Sequence, residues 1–154
     1  MSEYDSTADI EVHIERVQFL IWEFVKLMVF RSIEHDLSKL GPEEKPFNDR
    51  MTPMMKGMTY GSPEYMAALK EIRPAIEHHY RVNSHHPEHH ADGVAGMDLM
   101  DLCEMFFDWK AASERNSSGS ILRSIEVNEK RYALDPQIVA IFRNTAERMG
   151  WLTA

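Results

Sequence analysis

Hydrophobic residues recur three and four positions apart through most of the chain, which is the spacing of one face of an α-helix. The first stripe predicts a helix over about residues 8–34, and it consists of Ile10, Ile14, Val17, Leu20, Ile21, Phe24, Leu27 and Met28. Similar patterns predict helices over 63–80, with a kink at Pro74, and over 97–114, 121–131 and 136–149. No segment shows the sustained alternation of a strand. The sequence therefore predicts an all-α fold, a single-domain bundle of about five to six helices over residues 1–154, with packing helices at 120–150.

The helical pattern stops between residues 40 and 62. This stretch is punctuated by Pro42, Pro46, Pro53, Gly57 and Gly61, and it carries Met51, Met54, Met55 and Met58. It predicts a long Pro/Gly/Met-rich loop, and loops of that length in compact domains are often lids or binding loops. The methionines suit an adaptable apolar surface or simple packing under the loop.

Composition narrows the class of protein. The 154 residues are 44% hydrophobic and 27% charged, the balance of a soluble globular protein. A net charge of -8 argues against gripping duplex nucleic acid, because phosphate contacts need a basic surface. The single Cys103 excludes an intrachain disulfide and a thiolate metal cage, which favours a reducing compartment. The acidic N-terminus lacks a secretory signal, and the apolar run from Phe19 to Phe30 is too short to span a bilayer, so we expect a cytoplasmic protein with no membrane partner.

Histidines cluster in one short segment. Of eight in the chain, six lie between His78 and His90. Neutral imidazole is the commonest transition-metal ligand, and cationic imidazoles this close would repel one another. The ligand candidates are His79, His85 and His86. His89 and His90 lie beyond a proline and are expected to be solvated.

Two further groups of residues carry ligand chemistry. His35 and Asp36 are adjacent and can bind one cation with an imidazole nitrogen and a carboxylate oxygen. The helix predicted at 97–114 bears three acidic residues at helical spacing, Asp101, Glu104 and Asp108. Asp98 and Asp101 fit favourable charges in the first turn of that helix. Asp108 is mid-helix and gains nothing from the helix dipole, so it is the better metal-ligand candidate.

The order of these residues resembles the HD superfamily of metal-dependent phosphohydrolases, whose motif is H…HD…H…H…D on a helical bundle. The matching residues are His13, His35, Asp36, His79, His85 or His86, and Asp108. HDLSK at 35–39 resembles the superfamily's HD-x-G-K segment, with Ser38 in place of Gly, and DWKAASER at 108–115 resembles the helix that carries the last Asp. The set is also similar to an uncharacterised HD-like family of unknown function, found largely in phages and bacteria. The resemblance spans roughly residues 13–115 and implies an HD-like bundle, in a host cytoplasm if the protein is phage-encoded.

His13 raises a geometric conflict. It lies 22 residues before His35, which is about 33 Å along one straight helix. No Gly or Pro lies between them to force a turn. The resemblance implies a break or sharp bend between Trp22 and Ser32; without one, His13 is not a ligand of the same site.

The resemblance implies one or two divalent ions of Mn, Fe, Co, Ni or Zn at a site of imidazoles and carboxylates. The implied ligands are His13, His35, Asp36, His79, His85, His86 and Asp108. Such a metal would polarise a phosphoryl oxygen and lower the pKa of bound water, so the implied reaction is hydrolysis of a small phosphorylated substrate such as a nucleotide. The implied catalytic residues are Lys39, Glu88 and Glu104. The implied substrate-binding residues are Lys39, Arg81, Asn83, Arg115 and Arg131.

Several alternatives stay open from the sequence. An HD-type di-iron oxygenase uses the same ligand alphabet, and a non-catalytic binding or inhibitor protein could keep the metal only as a structural element. Trp109 and Tyr80 fit either base stacking or core packing. The sequence also leaves open whether the chain forms a homo-oligomer. Lys39 beside the His-Asp pair favours the phosphohydrolase.

Overall fold

A computed structural model describes residues 4–55, 58, 62–115 and 119–152. Within these ranges the chain forms helices and turns and no strand, so the all-α prediction is confirmed. The helices are α1 Thr7–Glu34, α2 Lys45–Met55, α3 Pro63–Val82, α4 Leu99–Ser113, α5 Ile121–Tyr132 and α6 Pro136–Arg148. Short 3₁₀ turns occupy Leu37–Leu40, Pro87–His89 and Gly93–Gly96. The glycines at 57 and 61 lie outside the described residues.

The chain divides into two compact units, Met1–His35 and Asp36–Ala154. The first unit contains α1, which runs without interruption for 28 residues and contains no buried residue. The second unit contains the other five helices, and the prediction of a single domain over 1–154 stays a prediction. Across the described part of the chain, no helix combines the length and apolar composition that crossing a membrane requires.

A helix occupies the middle of the stretch in which the sequence pattern predicts a loop. Pro46 is the second residue of α2, a position where the missing backbone N–H costs nothing. Lys45 pairs with Asp49 one turn later, at 2.6 Å. Met51 is 1% exposed in the second unit, where α2 packs against α3. Arg50 also pairs with Glu71 of α3, at 2.6 Å, so contacts with α3 accompany the helix even though Pro53 lies inside it.

The main core of the second unit lies among α4, α5 and α6. It consists of Met105, Phe106, Trp109, Ile121, Ile125, Leu134, Val139, Phe142 and Ala146. Phe106 stacks on Phe142 with ring centroids 4.7 Å apart, and Trp109 meets the edge of Phe142 at 5.7 Å. Trp109 is therefore a core residue, so of base stacking and core packing, the two roles that the sequence leaves open, the structure favours core packing.

Capping residues fix where the helices of this core begin. Asp98 accepts a hydrogen bond from the backbone N–H of Asp101, and Asp101 accepts one from the backbone N–H of Asp98. This reciprocal capping box confirms the first-turn role predicted for both residues. Asp135 caps α6, with Pro136 in the first turn. The Asp98–Asp101 capping box fixes the start of α4, which carries Glu104 and Asp108.

Candidate metal centre

Four residues of the second unit converge on one point. Asp36, His79, His85 and His86 each offer one ligand atom, and these atoms all lie within 4.8 Å of one another. Asp36 precedes the Leu37–Leu40 turn in a left-handed conformation with φ 58°, which the short polar side chain of Asp tolerates. His79 lies in the last turn of α3, and His85 and His86 follow the end of that helix. The structure thus brings together residues that are up to 50 positions apart in sequence.

Glu44 orients the imidazole of His79. Its carboxylate is 1% exposed, and Oε2 lies 3.0 Å from His79 Nδ1. Because a carboxylate can only accept, His79 donates from Nδ1, and in the neutral ring, which is the form that binds a metal, Nε2 then carries the lone pair. That Nε2 lies 3.1 Å from Asp36 Oδ1 and 2.9 Å from His86 Nε2. Glu44 also accepts a hydrogen bond from His78 Nδ1, at 2.8 Å.

Asn83 and Ser38 hold the backbone around His79. The amide nitrogen of Asn83 donates to Ser38 Oγ at 2.8 Å and to the carbonyl oxygen of His79 at 2.8 Å. These two bonds use both hydrogens of that amide nitrogen. Ser38 Oγ lies 3.2 Å from His79 Nδ1. Asn83, predicted to bind substrate, here joins the end of α3 to the Leu37–Leu40 turn.

Glu104 orients His85 in the same way. His85 is 2% exposed, and its Nδ1 lies 2.9 Å from Glu104 Oε1 on α4. The resulting N–H donation leaves the Nε2 lone pair directed at Asp36 Oδ1, 3.6 Å away. Two separate carboxylate–imidazole pairs therefore aim lone pairs at the same oxygen of Asp36. Glu104 is therefore a hydrogen-bond acceptor for this imidazole, and its predicted catalytic role stays a prediction.

His86 is held in its neutral form. Burial first, and then the neighbouring imidazoles of His85 and His79, lower its pKa from an ordinary 6.5 to about 3, against the opposing effect of Asp108 and Asp36. A neutral imidazole is the form that binds a metal.

Asp36 and Asp108 each offer a carboxylate oxygen within 4.8 Å of the other, so the carboxylate predicted on α4 reaches this cluster.

The geometry of the four residues fits a divalent transition metal. A metal–nitrogen distance of about 2.1 Å gives neighbouring ligand atoms roughly 3.0–3.4 Å apart in octahedral or tetrahedral coordination. Three of the six separations among the ligand atoms here are 2.9, 3.1 and 3.6 Å, and all six lie within 4.8 Å. Lone pairs that face a carboxylate oxygen repel it unless a cation lies between them. Imidazole and carboxylate together suit Mn, Fe, Co, Ni or Zn better than Ca.

A cavity of about 240 Å³ adjoins this cluster. Its lining residues are Lys39, Glu44, Asn48, Ala75, Ile76, His79, Tyr80 and His86. Lys39 Nζ lies 2.5 Å from Asp36 Oδ2, so the positively charged ammonium group of Lys39 lies between the cavity and the candidate ligands. Six of these eight residues are polar or charged, and Ala75 and Ile76 form the apolar part of the wall. We call this space the Lys39 cavity.

The remaining predicted substrate-binding and catalytic residues have different surroundings. Glu88 pairs with Arg131 at 2.7 Å and accepts a hydrogen bond from Tyr132 at 3.1 Å. Arg131 also donates to the hydroxyl of Tyr80, at 3.2 Å. Burial raises the pKa of Tyr132, so that phenol stays protonated at neutral pH. Glu88 therefore interacts with α5, while Arg81 and Arg115 are exposed.

Two histidine predictions need correction. The unbroken α1 excludes the bend that would let His13 and His35 share one ion within a single chain, so His13 is not a ligand together with His35. His90 is half-buried and donates from Nε2 to the carbonyl oxygen of Ser84, at 2.8 Å, so it is not solvated. The exposure predicted for His89 is confirmed. His35 is the C-cap residue of α1 and ends the first unit, and its ligand role stays a prediction.

Two residues at the site were missed by reasoning from sequence. Glu44 and Asn48 lie in the stretch where a loop was expected, next to other charged and polar residues. Nothing in the local pattern distinguishes Glu44 from the exposed Glu43 beside it. Only the turn at Gly41–Glu44 and the packing of α2 on α3 place its carboxylate against His78 and His79.

Comparison with known proteins identifies the family. Residues 2–148 match the profile of a family of unknown function, DUF5662, and the chain belongs to that family. No curated protein matches the chain. No solved structure matches it either.

Proposed function

We propose that this member of the DUF5662 family is a metal-dependent phosphohydrolase that acts on a small phosphorylated substrate, of which a nucleotide is the simplest example. One observation carries the proposal. Three imidazoles and the Asp36 carboxylate converge beside a cavity that also contains the Lys39 ammonium group. This pairing of a cation site with a fixed positive charge suits a phosphate group better than a neutral substrate.

The candidate ligands are Asp36, His79, His85 and His86, with Asp108 as a second carboxylate. A divalent cation held there would polarise a phosphoryl oxygen and lower the pKa of water at the site. Glu44 and Glu104 keep the Nδ1 protons on His79 and His85, so that both Nε2 atoms stay available as ligands. These carboxylates are acceptors for the imidazoles throughout the reaction.

Lys39 is the residue that we assign to the substrate. Its ammonium group lines the cavity and is about two-fifths exposed, so an incoming phosphate can reach it. Its existing contact with Asp36 holds it at the edge of the candidate metal site. Lys39 would therefore neutralise part of the phosphate charge and orient the scissile bond towards Asp36.

The cavity limits the size of the substrate. About 240 Å³ lies below the volume of most pockets for drug-sized ligands, which begin at roughly 300 Å³. An overall charge of -8 disfavours a long polyanion. A small phosphomonoester or a single nucleotide suits both properties.

The test is turnover of a panel of phosphomonoesters, nucleotides and small phosphodiesters with Mn or Co, measured as release of phosphate or of nucleotide product. Asp36→Asn is the informative variant, because Asn tolerates the left-handed backbone at φ 58° while removing the charge. We expect turnover by the wild type and none above background by Asp36→Asn. Asp49→Asn, on the exposed surface of α2, is the matched control and should keep full activity.

Two results would refute the proposal: no turnover of any panel member with either metal, or full activity in Asp36→Asn.

A di-iron oxygenase is the second candidate. Asp36 and Asp108 each offer a carboxylate oxygen within 4.8 Å of the other, so each could bind one of two neighbouring irons. Consumption of oxygen by the iron-loaded protein, without release of phosphate, would favour it. A hydrolase consumes none.

A further inference from the structure

The helix α1 carries a second apolar stripe, distinct from the one that predicts it. Its positions are spaced alternately four and three residues apart: Ala8, Val12, Glu15, Phe19, Trp22, Lys26, Val29 and Ile33. Alternating spacings of four and three define the a and d positions of a heptad repeat, the contact line of a coiled coil. We call these eight positions the α1 seam. Most coiled-coil contact lines are apolar throughout, and the α1 seam departs from that pattern only at Glu15 and Lys26.

The apolar side chains of the seam are in contact with solvent. Trp22 is 69% exposed, Val12 67%, Ile33 65%, and Phe19 and Val29 52% each. A patch of this extent on a single helix marks a binding surface. Its burial on two copies would remove on the order of 1,000 Å² from water, the size at which specific interfaces begin.

The seam is symmetric about its centre, which identifies the occupant. In an antiparallel pair of identical helices, the residue numbers of two facing residues add up to the same value along the whole pair. For a sum of 41, Phe19 meets Trp22, Val12 meets Val29, and Ala8 meets Ile33. The same rule brings Glu15 against Lys26. Every apolar position is then matched with an apolar one, and the only acid with the only base.

We propose that α1 pairs with α1 of a second copy of this chain as an antiparallel two-stranded coiled coil. Glu15 of each copy faces Lys26 of the other, giving two ion pairs in one dimer. A polar pair at core positions of a coiled coil fixes its register and orientation. In a parallel pair, Glu15 would face Glu15 and Lys26 would face Lys26, which like-charge repulsion disfavours. This proposal is independent of the proposed catalytic function.

Charge exchange tests the pairing directly. Glu15→Lys places two lysines opposite each other at both ends of the antiparallel seam, and Lys26→Glu places two glutamates there. Each single variant should weaken self-association roughly tenfold or more. The double variant Glu15→Lys/Lys26→Glu restores both ion pairs and should return the dissociation constant close to that of the wild type. The measurement is sedimentation equilibrium of the full chain over a range of concentrations.

The controls separate pairing from folding and from net charge. Lys26 also bonds Glu23 of its own helix at 2.8 Å, so helix content is followed by circular dichroism in every variant. Glu147→Lys, on the exposed surface of α6, makes the same change in net charge as Glu15→Lys and should leave association unchanged.

The wild type should sediment at twice the 17.9 kDa chain mass at high concentration. A wild type that stays at 17.9 kDa throughout would overturn the proposal without recourse to any variant. A double variant as weak as the singles would overturn the antiparallel register.

Discussion

Glu44 Oε2 lies 3.0 Å from Nδ1 of His79, and the carboxylate is 1% exposed. The opposite nitrogen of the same ring lies 3.1 Å from Asp36 Oδ1. A buried acid on one side of an imidazole and a second acid on the other side is the arrangement that holds a metal-binding histidine in one tautomer and one orientation. Glu44 therefore orients His79 without being one of the candidate metal ligands itself.

Replacing Glu44 should weaken metal binding without abolishing it. Glu44→Gln keeps the shape of the side chain but removes the charge that fixes the Nδ1 proton of His79. Loss of such an outer carboxylate lowers metal affinity by about 10–100-fold. Titration calorimetry with Co or Zn measures the change. Glu43→Gln alters the exposed neighbour and should bind metal like the wild type; equal affinity in Glu44→Gln would contradict the positioning role.

Lys39→Met should separate substrate binding from metal binding. Methionine keeps much of the aliphatic length while removing the charge that lines the cavity. We expect KM for a phosphorylated substrate to rise and metal content to hold, because Lys39 is a cation and not a metal ligand. Lys45→Met, which removes an exposed lysine that pairs with Asp49, serves as the control. An unchanged KM in Lys39→Met would exclude Lys39 from the substrate site.

Acid should destabilise the metal-free chain through His86. Burial and neighbouring imidazoles lower the pKa of this group to about 3, whereas the unfolded chain has the ordinary 6.5. Above pH 6.5 neither state takes up the proton, so its contribution to stability is fully present there. As pH falls from 6.5 towards 3, His86 becomes protonated in the unfolded state but stays neutral in the folded state. The free energy of unfolding therefore falls.

The slope of this effect for one proton approaches about 1.4 kcal/mol per pH unit. Urea denaturation in the presence of a chelator, repeated between pH 7 and pH 4, measures it. His86→Gln removes the titrating group, so its stability should depend less steeply on pH. Identical slopes in the two proteins would show that His86 does not contribute.

The sequence predicts most of the helices because their signals are local. Ser62 and Pro63 before α3, the Asp98–Asp101 box before α4 and Asp135–Pro136 before α6 are each readable within a few residues. The exception is α2, where the prolines obscure a helix that buries Met51 and pairs Arg50 with Glu71 of α3. Local rules do not show that Met51 meets α3.

The candidate ligands were predictable from the sequence because their chemistry is unusual. The residues that hydrogen-bond to these ligands were not predictable. A cluster of histidines and a separate His-Asp pair are conspicuous in any sequence, whereas Glu44 is one of 25 acidic residues. The partners of Glu88 and Arg131 were equally hidden, since the two residues lie 43 positions apart. Such pairs depend on how helices pack, which the local pattern does not specify.

Ile125→Ala should cost about 2–5 kcal/mol of unfolding free energy. Ile125 is completely buried at 0% exposure in the core among α4, α5 and α6, and its truncation leaves a cavity. Val127→Ala removes an apolar side chain of the same helix that is 56% exposed, so its effect should stay within about 0.5 kcal/mol. Urea denaturation at pH 7 compares the two. Equal losses would contradict the assignment of the core.

The central claim is that Asp36, His79, His85 and His86 hold a metal ion. Elemental analysis of untagged protein, incubated with Mn, Fe, Co, Ni and Zn and then freed of loosely bound ions, tests it most directly. The account predicts at least one tightly bound ion per chain in the wild type. It predicts loss of that ion in His79→Gln, with circular dichroism unchanged. A well-folded wild type that retains no metal from this mixture would contradict the account.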